Sequence, residues 1–195
     1  MTDLSDSPSK DELRVAALAR RLALSNEART AAAAAIAARE LPFAVPTGAI
    51  VAGYVPIRGE IDPFPLMRAL LRRGAKLALP VVTGQGRPLT FCAWSEGDVL
   101  QRSELGILEP PPGAPEVAPD IVLAPLAAFD ALGHRIGYGA GHYDRTLAAL
   151  RRAKPVVAAG LAFAVQQIEA VPAAAHDVAL DYVITEQGTL IFRSR

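Results

Sequence analysis

The sequence predicts an α/β layered fold in which a largely parallel sheet is flanked by helices. Helical segments and short apolar runs alternate along the chain, which is typical of parallel sheets built from strand–helix–strand units. Most of the apolar runs are bounded by Gly, Pro or polar turn residues, as buried strands are. The 195 residues are 51% apolar and 21% charged, enough for a substantial core. We find no internal repeat and expect one domain over residues 1–195, with residues 1–8 flexible.

The first two predicted elements are helices. Ser9 and Glu12 have the spacing of a capping box, which predicts a helix that runs to about Leu22. Ser25 begins a second, alanine-rich helix, which ends before Pro42.

A strand, a helix and a pair of strands are predicted next. Residues 48–55 form an apolar run after turn residues, which indicates a buried strand. Asp62 followed by Pro63 suits an N-cap and first helical position, and Gly74 ends the helix that follows. Residues 75–94 hold two further strands around a glycine-containing turn.

The proline-rich segment 101–119 allows two interpretations. It is either a disordered linker or an ordered loop that covers a pocket. Beyond it the pattern predicts strands and one helix. The predicted strands are 120–129, 155–162, 181–185 and 189–193, and the helix is 142–152.

Composition excludes several classes of function. Lys+Arg and Asp+Glu are equal at 20 each, so no global field recruits nucleic acid or an anionic membrane. The single cysteine, Cys92, excludes an intrachain disulfide, and the three histidines lack the spacing of a zinc site; His176 is expected to cap a turn. The polar N-terminus lacks a secretory pattern, and no apolar run is long enough to span a membrane. We expect a cytoplasmic monomer that binds small molecules.

The stretch FDALGHRIGYGAGHYDR, residues 129–145, carries the clearest chemical signal. It follows a predicted strand and opens a helix, the place where open α/β sheets bind ligands. Its alternating glycines leave backbone N–H groups accessible, the helix start adds more, and Arg135 offers a planar fork for phosphate oxygens. The stretch lacks the Gly-Lys-Ser/Thr of a Walker A loop and the G-x-G-x-x-G of dinucleotide sites. It predicts a phosphate-binding site; the alternative is a tight turn without a ligand.

Asp144 also has two interpretations. An acidic residue in the first turn of a helix complements the helix dipole. Next to a phosphate, however, it would repel the ligand unless a hard cation such as Mg²⁺ joined them. Asp181, before a predicted strand, is the candidate second carboxylate, and Asp177 is close enough to compete.

Several short motifs follow one another in a specific order. In chain order these are Lys10 and Arg14, Tyr54 and Pro56, residues 60–62, Pro80, residues 106–110, residues 125–145, residues 176–177, Asp181 and residues 185–186. This order resembles that of the 5-formyltetrahydrofolate cyclo-ligase family over nearly the whole chain, and the block 125–145 is its most specific part. The resemblance implies an ATP- and Mg²⁺-dependent enzyme with a fold similar to the sugar-phosphate isomerase and CoA-transferase group. It also implies conversion of 5-formyltetrahydrofolate to 5,10-methenyltetrahydrofolate, with release of ADP and phosphate.

The same resemblance implies roles for individual residues. ATP would be bound by Lys10, Arg14, Arg135, Ile136, Gly137, Tyr138, Gly139, Ala140, Gly141, His142 and Tyr143. The folate would be bound by Val55, Glu60, Tyr138, Gly139, Ala140, Gly141 and His142. Mg²⁺ would be held by Asp144 and Asp181. His142 stands where the family usually has an aromatic residue, and Ala140 where it often has lysine or glycine.

Without the resemblance, several of these residues have simpler interpretations. Lys10 and Arg14 would belong to a solvated helix face, and Glu60 to a surface turn. Phe91 and Trp94 either border the folate or pack in the core. Two other functions are compatible with this fold: a non-catalytic relative that binds nucleotide, folate or RNA, and a sugar-phosphate isomerase that needs no ATP.

Overall fold

Helices and strands alternate along the chain. The computed structural model describes residues 8–104, 106–174 and 177–192; expectations for residues 1–7 and for His176 fall outside these residues. The described helices are α1 (Lys10–Leu22), α2 (Asn26–Ala38), α3 (Phe64–Arg72) and α4 (His142–Ala153), with a 3₁₀ turn at Ala164–Gln166. The strands are β1 (Ile50–Ala52), β2 (Lys76–Val81), β3 (Thr90–Ala93), β4 (Gln101–Arg102), β5 (Leu108–Glu109), β6 (Ile121–Pro125), β7 (Ala128–Phe129), β8 (Arg135–Ile136), β9 (Val157–Leu161), β10 (Tyr182–Ile184) and β11 (Thr189–Ile191).

One mostly parallel sheet of seven strands forms the centre of the molecule. Its order is β11-β10-β9-β6-β1-β2-β3. The inner strands run parallel, and only the edge strands β3 and β11 are antiparallel to their neighbours. Strands β4–β5 and β7–β8 form two separate hairpins. The predicted fold class is confirmed.

The helices begin close to the residues that the sequence indicates. The predicted capping box is present, because Ser9 accepts the Glu12 amide and Glu12 accepts the Ser9 amide. Ser25 caps α2 with its side chain alone, which accepts the Ala28 amide at 3.1 Å. Helix α3 begins one residue later than expected, because Pro63 takes the N-cap position while the Asp62 carboxylate accepts the first helical amide at 2.9 Å.

The proline-rich segment is an ordered loop in its described part. It contains the β4–β5 hairpin and then runs beside β3. There the Ala93 amide donates to Pro115 and the Val117 amide to Phe91, both at 2.8 Å. Of the two interpretations of residues 101–119, the structure therefore supports the ordered loop over a pocket.

The core lies on both faces of the parallel strands. Val122, Leu123 and Ala124 of β6 are fully buried, as strands covered on both faces are. Phe91 belongs to this core, and Trp94 packs against Phe64 with ring centroids 5.4 Å apart. Among the residues described, no helix is both long enough and apolar enough to cross a membrane.

Candidate functional site

Two cavities open at the carboxyl edge of the sheet, where the parallel strands end. The first has a volume of about 620 Å³ and is bordered by Val55, which follows β1, and by Pro125 at the end of β6. The second, of about 720 Å³, lies between α1 and the start of α4. Residues 137–141, which we call the glycine loop, separate the two and contribute to both. The stretch that carries the sequence signal therefore lies between two ligand-sized spaces.

The first cavity has apolar walls and a few buried polar groups. Its apolar wall includes Val55, Ile57, Pro80, Val82, Leu89 and Leu108. Glu109, from the β4–β5 hairpin, is buried and accepts the Val82 amide only weakly, at 3.4 Å. Apolar walls with few polar groups are typical of sites for flat organic ligands.

Glu60 is the deepest carboxylate of the first cavity. Its side chain accepts the Ile57 amide through Oε2 at 2.9 Å, while Oε1 is buried without a hydrogen-bond partner among the described residues. Burial raises the pKa of Glu60, and the Tyr138 hydroxyl, the Ile57 amide and the charges of Arg21 and Arg58 only partly offset this. A buried carboxylate oxygen without a donor is costly, so this residue is prepared to accept a donor from a ligand.

A buried arginine fixes the aromatic residue of the glycine loop. Arg21 of α1 is fully buried and donates to the Tyr138 hydroxyl at 2.7 Å and to the carbonyl of Arg58 at 2.7 Å. Burial raises the pKa of both Tyr138 and Tyr143 far above that of an ordinary phenol, and the charge of Glu60 adds to the shift. Both hydroxyls therefore stay protonated.

The glycine loop presents unpaired backbone donors. Gly139 and Gly141 have positive φ angles of 94° and 63°, a conformation that favours glycine. Gly141 is the N-cap of α4 and gives no side-chain cap. Within the described part of the chain, the amides of residues 137–144 donate no hydrogen bond. Amides of this kind at a helix start form an anion-binding site.

Cations from two helices surround the second cavity. Lys10 and Arg14 lie one turn apart on α1. Lys10 Nζ lies 2.5 Å from Asp177 Oδ2, and Arg14 Nε donates to the carbonyl of Gly137 at 2.7 Å. Arg145 of α4 donates to the carbonyl of Ala140. Two of these cations thus hold the glycine loop from outside while they border the cavity.

Arg135 is more deeply buried than its predicted role suggests. Only 5% of its side chain is exposed, and its guanidinium donates to Asp144 Oδ1 at 2.7 Å and to the carbonyl of Val178. Burial lowers the pKa of Arg135, against the opposing charges of Asp144 and Asp177. Arg135 borders both cavities, but its clearest action is to position Asp144.

Asp144 and Asp177 are the two aspartates that border the second cavity. Oδ1 of Asp144 accepts from Arg135 and from the Val178 amide, whereas Oδ2 accepts no bond from the described residues. Asp177 borders the same second cavity as Asp144. Mg²⁺ is typically held by one or two carboxylates together with phosphate oxygens, which matches this pair. No cluster of three or more His, Cys, Asp or Glu side chains occurs within the described ranges.

Asp181 is not brought to this place. It precedes β10 and therefore lies at the amino edge of the parallel strands, opposite both cavities. There its Oδ2 accepts the Ala158 amide at 2.7 Å and Arg151 at 2.9 Å. Arg151 is seven residues after Asp144, about 10 Å along α4. The expectation that Asp181 pairs with Asp144 thus disagrees with the fold.

The other predicted residues all border one cavity or both. Those at the second cavity alone are Lys10, Arg14, Ile136 and Gly139. Those at the first cavity alone are Val55, Glu60, Tyr138, His142 and Tyr143. Those at both are Arg135, Gly137, Ala140, Gly141 and Asp144. The predicted nucleotide residues Tyr138, His142 and Tyr143 thus face the space that holds Glu60.

Several residues of the site have no role that the sequence alone predicts. Arg145 follows the aspartate of the specific block directly, and Glu109 lies in a motif that the family shares. Arg21 and Arg58 gave no signal, because a helix arginine and a turn arginine are usually solvated.

Comparisons with known proteins agree on one family. The sequence model of the 5-formyltetrahydrofolate cyclo-ligase family matches residues 6–186. The 5-formyltetrahydrofolate cyclo-ligase of Mycolicibacterium smegmatis is 32% identical over 94% of this chain and 96% of its own. That of Escherichia coli K12 is 35% identical over 69% of this chain and 76% of its own. The NMR structure of Aquifex aeolicus 5,10-methenyltetrahydrofolate synthetase superposes with a TM-score of 0.76 at 30% identity, covering 95% of this chain and 94% of that one.

Proposed function

The chain belongs to the 5-formyltetrahydrofolate cyclo-ligase family, a family of ligases, and we propose that it closes 5-formyltetrahydrofolate to 5,10-methenyltetrahydrofolate at the expense of ATP. The observation that carries the proposal is the glycine loop, whose unpaired amides lie between two cavities. One cavity suits a flat, partly apolar ligand, and the other is bordered by cations. This is the arrangement that transfer of a phosphoryl group from one ligand to another requires.

The folate would occupy the first cavity. Its pterin ring carries N–H donors, and Glu60 offers the buried Oε1 as their acceptor. The apolar wall would cover the ring faces, and the protonated hydroxyl of Tyr143 would donate to its oxygens. His142, whose Nδ1 lies 3.0 Å from the carbonyl of Arg87, would border the substrate beside the glycine loop.

The triphosphate of ATP would lie along the glycine loop toward the second cavity. Main-chain amides supply fixed donors, and the start of α4 adds the positive end of its dipole. Lys10, Arg14 and Arg145 supply charge around the phosphates. Lys10 exchanges part of its pairing with Asp177 for a phosphate oxygen, and Arg14 keeps its bond to the loop.

The chemistry needs an activated formyl oxygen. A formamide carbon is a weak electrophile and its oxygen is a poor leaving group. Transfer of the γ-phosphoryl group to that oxygen breaks the bond to ADP and forms a phosphate ester, which leaves an iminium-like carbon. N10 attacks this carbon and loses its proton, and departure of inorganic phosphate gives the methenyl bridge. Phosphoryl transfer relies on positioning and on neutralised charge, so a covalent nucleophile is not required.

Asp144 would hold Mg²⁺, with Asp177, which borders the same cavity, as the candidate second carboxylate. The open Oδ2 of Asp144 and the shared second cavity support this assignment. Bound Mg²⁺ supplies positive charge to the phosphate oxygens. Arg135 acts through Asp144, because it holds Oδ1 and leaves Oδ2 toward the cavity.

A turnover assay tests the proposal. Purified protein with 5-formyltetrahydrofolate, ATP and Mg²⁺ should develop the absorbance of a methenyl product, with one ADP released for each product formed. The matched control omits ATP, and a second control replaces it with a non-hydrolysable analogue. Full turnover without nucleotide would reject the phosphorylated oxygen. Binding of folate and ATP without turnover would instead favour a non-catalytic relative.

A further inference from the structure

An exposed arginine at the rim of the first cavity has no hydrogen-bond or ion-pair partner among the described residues. Arg58 borders the first cavity and is solvent-exposed. Its guanidinium makes no hydrogen bond and no ion pair with any described residue. Exposed arginines without partners are common on protein surfaces. Arg58 differs from them in its backbone conformation and in the place of its side chain at the cavity.

The backbone holds Arg58 in an unfavourable conformation. Its φ is +51°, and it is the only described residue other than glycine with a positive φ. That conformation costs a residue with a side chain roughly 1–2 kcal/mol, and such residues concentrate at functional sites. The carbonyl of Arg58 accepts from the fully buried Arg21 at 2.7 Å. The turn is therefore held in place by a group that does not itself reach the cavity rim.

The side chain of Arg58 is directed over the glycine loop. Its guanidinium carbon lies 5.9 Å from the centroid of the Tyr138 ring, within the range of a cation–π contact. The contact restrains the cation beside the cavity mouth and leaves its N–H donors unused.

No other described group of the first cavity bonds to this guanidinium, although its charge helps to lower the pKa of Glu60 against the effect of burial. Glu60 forms no ion pair with Arg58 and accepts the Ile57 amide through Oε2. The other guanidinium at this cavity, that of Arg135, is committed to Asp144 and Val178. Arg58 does not border the second cavity, so it is not placed to serve a triphosphate there. The anion it fits belongs to the ligand of the first cavity.

We propose that Arg58 binds a carboxylate of the glutamate tail of the folate substrate and so selects substrates that carry that tail. The inference rests on the proposed function. The pterin and benzoyl parts of such a substrate are uncharged, so its anionic groups are the tail carboxylates. With the pterin ring at buried Glu60, the tail extends toward the rim, where Arg58 lies.

Two ligands separate this role from a general structural one. Wild type and Arg58→Gln are compared with 5-formyltetrahydrofolate and with the primary amide of 5-formyltetrahydropteroate, which lacks the glutamate and carries no carboxylate. For the glutamate-bearing ligand the substitution should raise the Kd and the KM roughly 5- to 20-fold, as expected for one charge-assisted hydrogen bond at a partly exposed site. For the pteroate amide both constants should stay within about twofold. Arg58→Lys should recover part of the loss, and Arg73→Gln, which removes an exposed arginine after α3, should change neither ligand.

The Kd of each ligand is measured by calorimetry, so the test of Arg58 does not depend on whether the protein turns the ligand over. Equal losses for both ligands, or no loss for either, would overturn the role of Arg58. If the wild type binds both ligands as expected but fails to turn over 5-formyltetrahydrofolate, the proposed reaction fails while the tail contact stands. Thermal unfolding of each variant shows whether the turn itself has been disturbed.

Discussion

The two edges of the sheet use carboxylates in opposite ways. At the amino edge, where the parallel strands begin, Asp120 accepts the Ile50 amide at 2.8 Å and Lys154 at 2.7 Å. Asp181 accepts the Ala158 amide and Arg151 there. Each of these side chains joins the start of a neighbouring strand to a cation at the end of α4 or just beyond it. Both carboxylates are therefore engaged in hydrogen bonds and ion pairs within the fold.

At the carboxyl edge Glu60 and Asp144 border the cavities and each keep an oxygen that accepts no bond from a described residue, whereas Glu186 accepts the Ala164 amide with both of its oxygens. Glu60 has a buried Oε1 without a partner, and Asp144 has an Oδ2 that no described residue contacts. Both are nevertheless held firmly through their other oxygen, by the Ile57 amide and by Arg135. One oxygen positions the side chain and the other faces the site.

We therefore expect the edge of the sheet at which a carboxylate lies, and not its residue type, to decide whether it stabilises the fold or binds a ligand. Parallel strands place all their beginnings at one edge and all their ends at the other, and ligands gather at the ends. A carboxylate before a strand and one after a strand therefore have different expected roles. Five substitutions test this distinction.

The largest effect is expected for Asp144→Asn. Loss of the charged oxygen at the second cavity should lower kcat about 100-fold at fixed Mg²⁺, the magnitude seen when one group that stabilises transition-state charge is removed. The Mg²⁺ concentration for half-maximal rate should also rise. Initial rates measured across a Mg²⁺ titration give both quantities.

Asp181→Asn is the matched control from the other edge. Its rate and its Mg²⁺ dependence per folded molecule should equal those of the wild type. A raised Mg²⁺ requirement in this variant would restore Asp181 as a ligand, and with it the pairing that the family resemblance implies.

Glu60→Gln should have the second largest effect. A charge-assisted hydrogen bond is worth roughly 1.5–3 kcal/mol, so the KM for the folate should rise about 10- to 100-fold while the KM for ATP changes little. In the wild type the folate KM should also rise as pH falls through the pKa of Glu60, which burial raises. The variant should lose this pH dependence. A parallel change in the KM for ATP would place Glu60 outside the folate contact.

The same substitution should stabilise the protein. An acid whose folded pKa lies above the ordinary 4.5 contributes stability that is complete below that value and is lost as pH rises through the folded pKa. The Gln variant carries no charge, so its free energy of unfolding should exceed that of the wild type at neutral pH. Urea unfolding at pH 7 checks the sign, and a lower stability would mean that Glu60 is a structural residue like those of the amino edge.

Local sequence patterns predict much of the fold. The capping residues Ser9 and Ser25 and the apolar runs predict most of the helices and strands, because caps and hydrophobic periodicity act within a few residues. The spatial order of the strands was not predicted, since it depends on contacts between distant segments. The short length of β1 and the course of the proline-rich loop along β3 could not be predicted for the same reason, because both depend on contacts between distant segments.

The sequence predicts only part of the site. The glycine loop was predicted from its own residues, because a cluster of glycines beside arginine and aspartate has few structural explanations. Asp181 was placed by resemblance, although its position before a strand already favours the amino edge. Arg21 could not be predicted, because nothing in a helical Arg-Arg pair indicates which one is buried; only the packed structure shows that it holds Tyr138.

Removal of the whole side chain at the amino edge should affect stability and not activity. Asp181→Ala leaves the Ala158 amide and Arg151 without their acceptor, which should cost about 1–3 kcal/mol in the free energy of unfolding. Urea unfolding measures this loss, and the kcat of the folded fraction should stay unchanged. A loss of activity greater than the loss of folded protein would show that the two edges are coupled.

The smallest effect is expected for Asp120→Asn, which keeps an oxygen for the Ile50 amide and removes only the charge opposite Lys154. The pair is half exposed, so the loss at pH 7 should be about 0.2–1 kcal/mol and should shrink at high salt. Burial alone would raise the pKa of Asp120, but the bonds from Lys154 and Ile50 outweigh it and lower the pKa below the ordinary 3.8. Its contribution is therefore present above that value and is lost as pH falls through the folded pKa. Unfolding curves of the two proteins should differ at pH 7 and converge in acid; a difference that persists in acid would show that Asp120 acts through its shape and hydrogen bond rather than through its charge.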